Sequence, residues 1–226
     1  MSASLNNLDK QLILDLRSIP SMGRADYFVS KSNNEIISWL DKWPKWLIFG
    51  LFLSGPSGSG KTHIANLLKQ SSNGIVINNA DIKKKNIINL IDFDCVIIED
   101  VDYALSENSL LHLFNFLQEN NSKIMLTSKI SINKLNLKLP DLQSRLLSLS
   151  QVNIGLPDDH LLSRVIIKQF FDKGVKIDIE VVDYLIKRMD RSFKSVENLV
   201  TKINYKAMEK SKKITVPFVR ELLKEL

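Results

Sequence analysis

The chain has 226 residues, of which 44% are hydrophobic and 25% are charged. This composition is typical of a globular protein with one or two domains and a substantial core. The longest apolar run, at 46–53, is well short of the roughly 20 residues that span a bilayer, so we expect no transmembrane helix.

The net charge of +6 and the pI of about 9.3 raise the possibility of a nucleic-acid partner. The excess is diffuse, since residues 1–156 carry 16 Lys and Arg against 14 Asp and Glu, and residues 157–226 carry 15 against 11. A solvated helix face explains the run Lys83-Lys84-Lys85, and we assign it no role. The single cysteine, Cys95, lies in an apolar run, and the N-terminus shows no secretory signal, so we expect a cytoplasmic location.

A short apolar peptide, QLILDL at 11–16, interrupts a polar N-terminal leader. An extended segment of this kind offers alternate side chains to an apolar groove, while one polar anchor fixes its register. The same pattern also occurs in an edge strand and in a terminal segment packed on the core. The residues alone leave these alternatives open.

The strongest motif follows the apolar run 46–53, which reads as a strand buried on both faces. The next eight residues, GPSGSGKT, match G-x-x-x-x-G-K-[ST], and an apolar helical pattern follows at once. In this spacing, glycines let successive N–H groups point at phosphate oxygens, and the helix N-terminus adds partial positive charge. We predict a nucleotide-binding loop formed by Gly55, Pro56, Ser57, Gly58, Ser59, Gly60, Lys61 and Thr62. Lys61 would reach the β- and γ-phosphates, and Thr62 would bind Mg²⁺.

A second apolar strand, at 93–100, ends in two acids, Glu99 and Asp100. A nucleotide-binding loop requires an acidic residue at the end of a neighbouring strand to hold the hydrated Mg²⁺. The alternative is two surface acids after a core strand. We predict that Thr62, Glu99 and Asp100 form the metal site through water, with the two acids also serving catalysis.

Strands predicted at 74–78, 123–127 and near 151–154 alternate with helices, including one at 107–118. This alternation predicts an α/β fold with a parallel sheet and helices on both faces. From 158 onward the pattern changes to helices only, at 158–172, 178–189, 196–208 and 217–223. We therefore predict an N-terminal tail at 1–19, an α/β core at 20–157 and a helical lid at 158–226.

These features together resemble an AAA+ ATPase of the DnaA group. The similarity also includes the LTS strand end at 126–128 and the SRL segment at 144–146. The acid pair and the segment Trp43-Pro44-Lys45-Trp46 resemble the Hda-like regulatory inactivators of DnaA in particular. The stretch at 22–29 resembles the segment that leads into the nucleotide pocket in that family.

The resemblance implies several residue roles. QLILDL matches the Q-L-x-L-x-L peptide with which this family binds the β sliding clamp of DNA polymerase III, so Gln11, Leu12, Leu14 and Leu16 would contact the clamp. Arg145 would be an arginine finger acting on a neighbouring subunit. Further nucleotide contacts would come from Phe28, Val29, His63 and Lys194, although the position of His63 alone favours a packing role.

Three departures from the DnaA pattern predict weak or no intrinsic ATPase activity. Glu99-Asp100 replaces an Asp-Asp pair, Lys194 stands where relatives carry a nucleotide-sensing arginine, and Lys129 stands where DnaA proteins have an acid. Lysine keeps the charge but loses the planar fork of arginine. We expect bound ADP or ATP with Mg²⁺, and ADP in the working state.

The expected function is negative regulation of replication initiation, in which the clamp-bound protein stimulates ATP hydrolysis by DnaA in trans. No helix-turn-helix can be recognised before the last residue, Leu226, so DNA contact would be indirect, through the clamp. Family members also pair, which makes a homodimer a further expectation. Two alternatives remain: a helicase-loader or transposition-helper ATPase with its own turnover, and a DNA-bound AAA+ protein that uses its basic lid.

Overall fold

The computed structural model describes residues 27–84 and 87–224, with the side chain of Lys84 excepted. The predicted clamp-binding residues 11–16 lie outside this part of the chain. A five-stranded parallel sheet forms the centre of the fold, in the order β2-β3-β4-β1-β5. The strands are β1 (Gly50–Ser54), β2 (Gly74–Asn78), β3 (Cys95–Val101), β4 (Lys123–Ser128) and β5 (Ser150–Asn153). The predicted α/β class and parallel sheet are confirmed.

The apolar run before the nucleotide-binding loop is only partly a strand, so our prediction of a strand from residue 46 is wrong. β1 begins at Gly50, where an added Cβ would lie 2.1 Å from the carbonyl oxygen of Ile124 on β4. The preceding Trp46 is buried by packing on other rings rather than by strand pairing. Its indole N–H donates to the carbonyl of Trp39 at 2.8 Å.

Four helices cover the two faces of the sheet. α1 (Asn34–Asp41) and α2 (Lys61–Ser71) pack on one face, and α3 (Glu107–Glu119) and α4 (Pro140–Leu147) pack on the other. Alternation along the strands divides the core, so Ile97 of β3 faces α2, whereas Ile98 faces α3. The helix at 107–118 is confirmed, but α4 is absent from the predicted elements.

The last four helices bury an apolar cluster of their own. They are α5 (Asp159–Asp172), α6 (Ile179–Ile186), α7 (Phe193–Glu209) and α8 (Val216–Lys224). Asp158 caps α5 by accepting the N–H of Leu161 at 2.7 Å, and Ser192 caps α7 by accepting that of Ser195 at 3.0 Å. The cap at Ser192 explains why α7 begins three residues earlier than predicted. Across the described ranges, no helix is long and apolar enough to cross a bilayer.

Candidate nucleotide site

The loop 55–62 connects the carboxyl end of β1 to the first turn of α2. Gly58 and Gly60 have φ values of 77° and 88°, a region that favours glycine, and Gly60 directly precedes the helix. These two conformations turn the backbone into α2, which brings its N-terminal N–H groups to the loop. The segment therefore has the shape predicted for a phosphate-binding loop.

Lys61 is buried at the start of α2. Its Nζ donates to the backbone carbonyls of Gly55 and Pro56 at 2.8 and 2.9 Å, which holds the ammonium group against the inside of the loop. Burial lowers the pKa of Lys61, and so does the charge of Lys129, while Asp100 and Glu99 oppose this effect. A desolvated cation held by two neutral carbonyls is suited to an anionic phosphate group.

Glu99 and Asp100 lie at the carboxyl end of β3, the same sheet edge as the loop, because all strands are parallel. Glu99 follows Ile97 by two residues and so lies on the α2 face of the sheet. Asp100 has a φ of 56°, at an irregularity in the pairing of β3 with β4. Its N–H donates to the hydroxyl of Thr127 at 3.2 Å. The predicted acid pair thus adjoins the loop.

A cavity of about 590 Å³ lies between the loop, the segment that begins at Tyr27, and the lid. Phe28, Gly58, Ser59, Gly60, Thr62 and His63 are predicted site residues that line it. The ring of His63 meets Tyr27 edge-to-face, with centroids 5.1 Å apart. Val29 is not among the lining residues and is 47% exposed.

Several lining residues were not predicted from sequence, and most of them are in the lid. They include Asn33, Leu161, Val165, Lys168, Gln169, Asp172, Lys173, Phe193, Glu197 and Thr201. Lys168 and Asp172 form a half-buried ion pair at 2.7 Å. Their i, i+4 spacing predicts an ion pair along one helix, but the sequence does not indicate that this pair faces the cavity.

Lys194 does not line this cavity. Its Nζ lies 3.1 Å from the carboxylate of Glu197, and both side chains are exposed. The lid instead approaches the loop through Phe193, because a Cβ added at Gly58 would lie 2.9 Å from the Cβ of Phe193. Glu197, one helical turn later, adds an acid to the wall of the cavity.

Arg145 lies near the end of α4 and is not among the residues that line this cavity. Its Nε is 3.3 Å from Asp141, its Nη1 donates to Gln118 at 3.0 Å, and its Cζ lies 5.7 Å from the centre of the Phe114 ring. Phe114 in turn packs on Phe49, directly before β1, with centroids 4.6 Å apart. The nucleotide-binding loop follows the other, carboxyl end of β1, so these ring contacts of Arg145 lie at the end of the strand away from the loop.

The residues present fit a nucleotide with Mg²⁺. The loop offers N–H groups and a desolvated lysine, and an added Cβ at Gly60 would lie 2.9 Å from the Tyr27 ring, so the loop and cavity are closely packed. Thr62, Glu99 and Asp100 supply the hydroxyl and carboxylate oxygens that Mg²⁺ prefers. Within the described residues, no group of three or more His, Cys, Asp or Glu is arranged to hold a metal ion.

Comparison with known proteins shows which families the chain is similar to. Residues 161–223 match the family described as the Hda lid domain. The chromosomal replication initiator protein DnaA of Nautilia profundicola is 27% identical over 198 residues, which cover 77% of this chain and 45% of that protein. The chain has the AAA+ fold, its sequence is similar to that of DnaA, and its lid matches the Hda lid family. This DnaA-related chain spans less than half the length of that curated relative.

Solved structures support the fold of the DnaA-related chain. Domain III of DnaA from Thermotoga maritima superposes with a TM-score of 0.75 at 19% identity, over 92% of this chain and 97% of that one. AMPPCP-bound DnaA from Aquifex aeolicus gives 0.65 at 22% identity, over 81% of this chain and 65% of that one. A branch-migration motor, RuvB from Thermotoga maritima, gives 0.63 at 16% identity, over 90% and 70%. The shared architecture is the AAA+ core with a helical lid.

Proposed function

We propose that this protein is a nucleotide-bound negative regulator of replication initiation that stimulates ATP hydrolysis by DnaA. The DnaA-like core and the Hda lid support this assignment. The observation that carries it is the position of Arg145, which contacts rings at the end of β1 away from the chain's own nucleotide-binding loop and lies on the face of the sheet opposite α2. A guanidinium there is away from the chain's own nucleotide, which supports action on a nucleotide held by another subunit.

The chain's own nucleotide would have a structural role. The loop residues and Lys61 bind the phosphates of ADP or ATP, and Thr62, Glu99 and Asp100 hold Mg²⁺, which neutralises phosphate charge. Because Phe193 contacts Gly58, phosphate binding at the loop orders the neighbouring lid. This nucleotide therefore stabilises the arrangement of the core and the lid.

Weak turnover of that nucleotide follows from the same geometry. Fast hydrolysis requires a further cation beside the γ-phosphate in addition to Lys61 and Mg²⁺, and Arg145 of the same chain lies away from that site. Lys194 is paired with Glu197 and lies outside the cavity, while Glu197 itself contributes a carboxylate to the cavity wall.

The reaction would occur at the interface with ATP-bound DnaA. Arg145 keeps three N–H groups beyond its contacts with Asp141 and Gln118, as counted over the described residues. These can contact the phosphoryl oxygens of DnaA-bound ATP and stabilise the charge that develops during transfer to water. Arginine fingers of this type contribute about 10³ to 10⁵ in rate.

Clamp binding would supply the coupling to DNA synthesis. Gln11, Leu12, Leu14 and Leu16 would bind the β sliding clamp, and DNA would be contacted only through it. A weak peptide contact and a weak AAA+ contact gain strength when both form on one DNA-loaded ring, because the effective concentration rises. A homodimer formed through the same AAA+ face would compete with DnaA for Arg145.

The test is hydrolysis of labelled ATP preloaded on DnaA, measured with and without this protein and a DNA-loaded clamp. Native chain should accelerate hydrolysis only when the clamp is present. Arg145→Ala should abolish the acceleration, and the double change Gln11→Ala with Leu12→Ala should remove its clamp dependence and most of the effect. Arg191→Ala is a matched control, because Arg191 is also exposed and paired with an acid, Asp159.

The opposite outcome would favour the loader-type ATPase. If the native chain leaves the ATP on DnaA intact and instead turns over its own ATP, the regulatory proposal is wrong. Salt-sensitive binding to naked duplex DNA would favour the third alternative, a DNA-bound AAA+ protein.

A further inference from the structure

The guanidinium of Arg145 is held by three contacts at the surface of the α3–α4 face. Two come from α3, namely the ring of Phe114 and the amide oxygen of Gln118, and one comes from Asp141 on α4 itself. The Gln118 contact joins residues 27 positions apart, so it ties the end of the side chain to a different helix. An arginine on a surface helix can be fully solvated without a hydrogen bond to a second helix, so this contact calls for an explanation.

We propose that Gln118 is a positioning residue for Arg145. It fixes the direction of the guanidinium before DnaA arrives, so that less side-chain freedom is lost at the interface. Binding that immobilises a flexible side chain loses rotamer entropy, and a group already held in place avoids much of this loss. This inference rests on the proposed function, since it gives Gln118 a role only through the finger.

The chemistry of the amide suits the role. A neutral carbonyl oxygen accepts one N–H of Nη1 and leaves the positive charge of the guanidinium undiminished for a phosphate. Asp141 contacts Nε, the nitrogen nearest the chain, which leaves the outer Nη2 edge for a ligand. The Phe114 ring lies beneath the guanidinium, with its centroid 5.7 Å from Cζ, and attracts the cation weakly at this distance.

A purely structural role is a poor explanation for the Gln118 contact. Gln118 is exposed, and the side chain of Arg145 is 32% exposed, so the hydrogen bond competes with water. Contacts between exposed polar groups add little to the stability of a fold. Positional control of a reacting group is sensitive to small displacements, because misplacement by about 1 Å can cost 10²-fold in rate.

The experiment measures hydrolysis of ATP preloaded on DnaA, with DNA-loaded clamp, as the full-length chain is titrated. Each titration gives a maximal rate and a half-saturating concentration. The variants are Gln118→Ala, Gln118→Met, which keeps the length but removes the acceptor, and Gln118→Glu, which keeps an acceptor oxygen. Gln143→Ala is the matched control, because Gln143 is an exposed glutamine on the same helix as Arg145. Arg145→Ala marks the complete loss of the finger.

We expect Gln118→Ala and Gln118→Met to lower the maximal rate roughly tenfold, with the half-saturating concentration changed less than about twofold. Gln118→Glu should bring the maximal rate to within about threefold of the native value, because the carboxylate again accepts an N–H of Arg145. Its negative charge partly offsets the positive charge of the guanidinium, so the recovery is incomplete. Gln143→Ala should behave as the native chain. The thermal unfolding midpoint should remain unchanged in all of them.

Three results would overturn the inference. If Arg145→Ala abolishes stimulation while Gln118→Ala and Gln118→Met act as the native chain, the finger stands and Gln118 does not position it. A raised half-saturating concentration at an unchanged maximal rate would make Gln118 a direct contact of DnaA. A lowered unfolding midpoint in both slow variants would make its role structural. If Arg145→Ala retains full stimulation, the proposed function itself fails.

Discussion

Gly58 of the nucleotide-binding loop lies against Phe193 at the start of α7, so closely that a Cβ added at Gly58 would lie 2.9 Å from the Cβ of Phe193. This contact joins the phosphate end of the cavity to the lid. Because real Cβ atoms do not approach so closely, the loop and the lid cannot both keep their positions if the glycine is replaced. The relationship makes Gly58 a probe of loop–lid coupling.

Gly58→Ala should therefore weaken nucleotide binding. The added methyl pushes on Phe193, and the φ of 77° is unfavourable for alanine. We expect ADP affinity to fall roughly tenfold, about 1.4 kcal/mol, when it is measured by isothermal titration calorimetry.

Gly174→Ala is the control for backbone conformation alone. Gly174 has a similar φ of 72°, but no atom lies within 4 Å of the position that its Cβ would occupy. We expect it to lower the free energy of unfolding by about 1 kcal/mol and to leave ADP affinity unchanged. Equal losses of affinity in both variants would contradict a specific contact between the loop and the lid.

Lys61→Met should stabilise the protein in the absence of nucleotide while removing nucleotide binding. The lysine charge is desolvated by burial, which lowers its pKa, and the thioether chain fills similar space without a charge. The gain in the free energy of unfolding should be on the order of 1 kcal/mol. Urea unfolding with and without ADP measures both effects, and the increase caused by ADP should be absent in the variant.

The advantage of Lys61→Met should shrink as the pH rises. Between the lowered pKa of native Lys61 and its ordinary value of 10.5, the unfolded chain binds more protons than the folded one. The free energy of unfolding of the native chain therefore rises with pH across this window. The variant has no lysine at this position, so its free energy of unfolding does not show this rise. A difference that stays constant from neutral pH to pH 10.5 would argue against the desolvated ammonium.

Asp100→Gly should separate the conformation of the acid pair from its charge. Asp100 is exposed and has a φ of 56°, so glycine should relieve strain and raise the free energy of unfolding by about 0.5 to 1 kcal/mol. The same change should reduce the Mg²⁺ dependence of nucleotide binding. Ser211→Gly, at an exposed lid residue with a φ of 48°, should stabilise similarly without changing the Mg²⁺ response. An unchanged Mg²⁺ response in Asp100→Gly would remove Asp100 from the metal site.

The features that the sequence predicts well are those encoded by neighbouring residues. The strand Gly74–Asn78 is confirmed with its bounds, because five residues between turn signals suffice to define it. The loop 55–62 joins a strand to a helix as its motif requires. The roles of Glu99, Asp100 and Arg145 in catalysis stay predictions, as does clamp binding by residues 11–16.

The features that could not be predicted depend on tertiary packing. Trp46 belongs to an apolar run that suits a strand, but its ring packs on Trp39 and Trp43, and pairing begins four residues later. Lys194 and Glu197 are both polar residues of one helix, and only the rotation of α7 on α5 determines that Glu197 lines the cavity. Such rotations are set by side chains that are distant in sequence.

Glu107→Ala should disturb the helix that carries Arg145. The Glu107 carboxylate, in the first turn of α3, accepts the backbone N–H groups of Lys138 and Leu139, the latter at 2.7 Å. These two residues lead directly into α4 at Pro140, so the carboxylate fixes where that helix begins. Hydrogen bonds to a charged group contribute roughly 1.5 to 3 kcal/mol, and partial exposure reduces this to about 1 kcal/mol.

The free energy of unfolding should fall by that amount in Glu107→Ala, and the maximal stimulation of DnaA should fall about fivefold, because α4 shifts with its finger. Glu107→Gln keeps one acceptor oxygen, so its stability and its stimulation of DnaA should lie between those of the native chain and of Glu107→Ala. Glu119→Ala is the control, since Glu119 is an exposed acid at the other end of α3. If Glu107→Ala loses stability but keeps full stimulation, the start of α4 does not determine the position of Arg145, and the contacts of its guanidinium with α3 alone are sufficient.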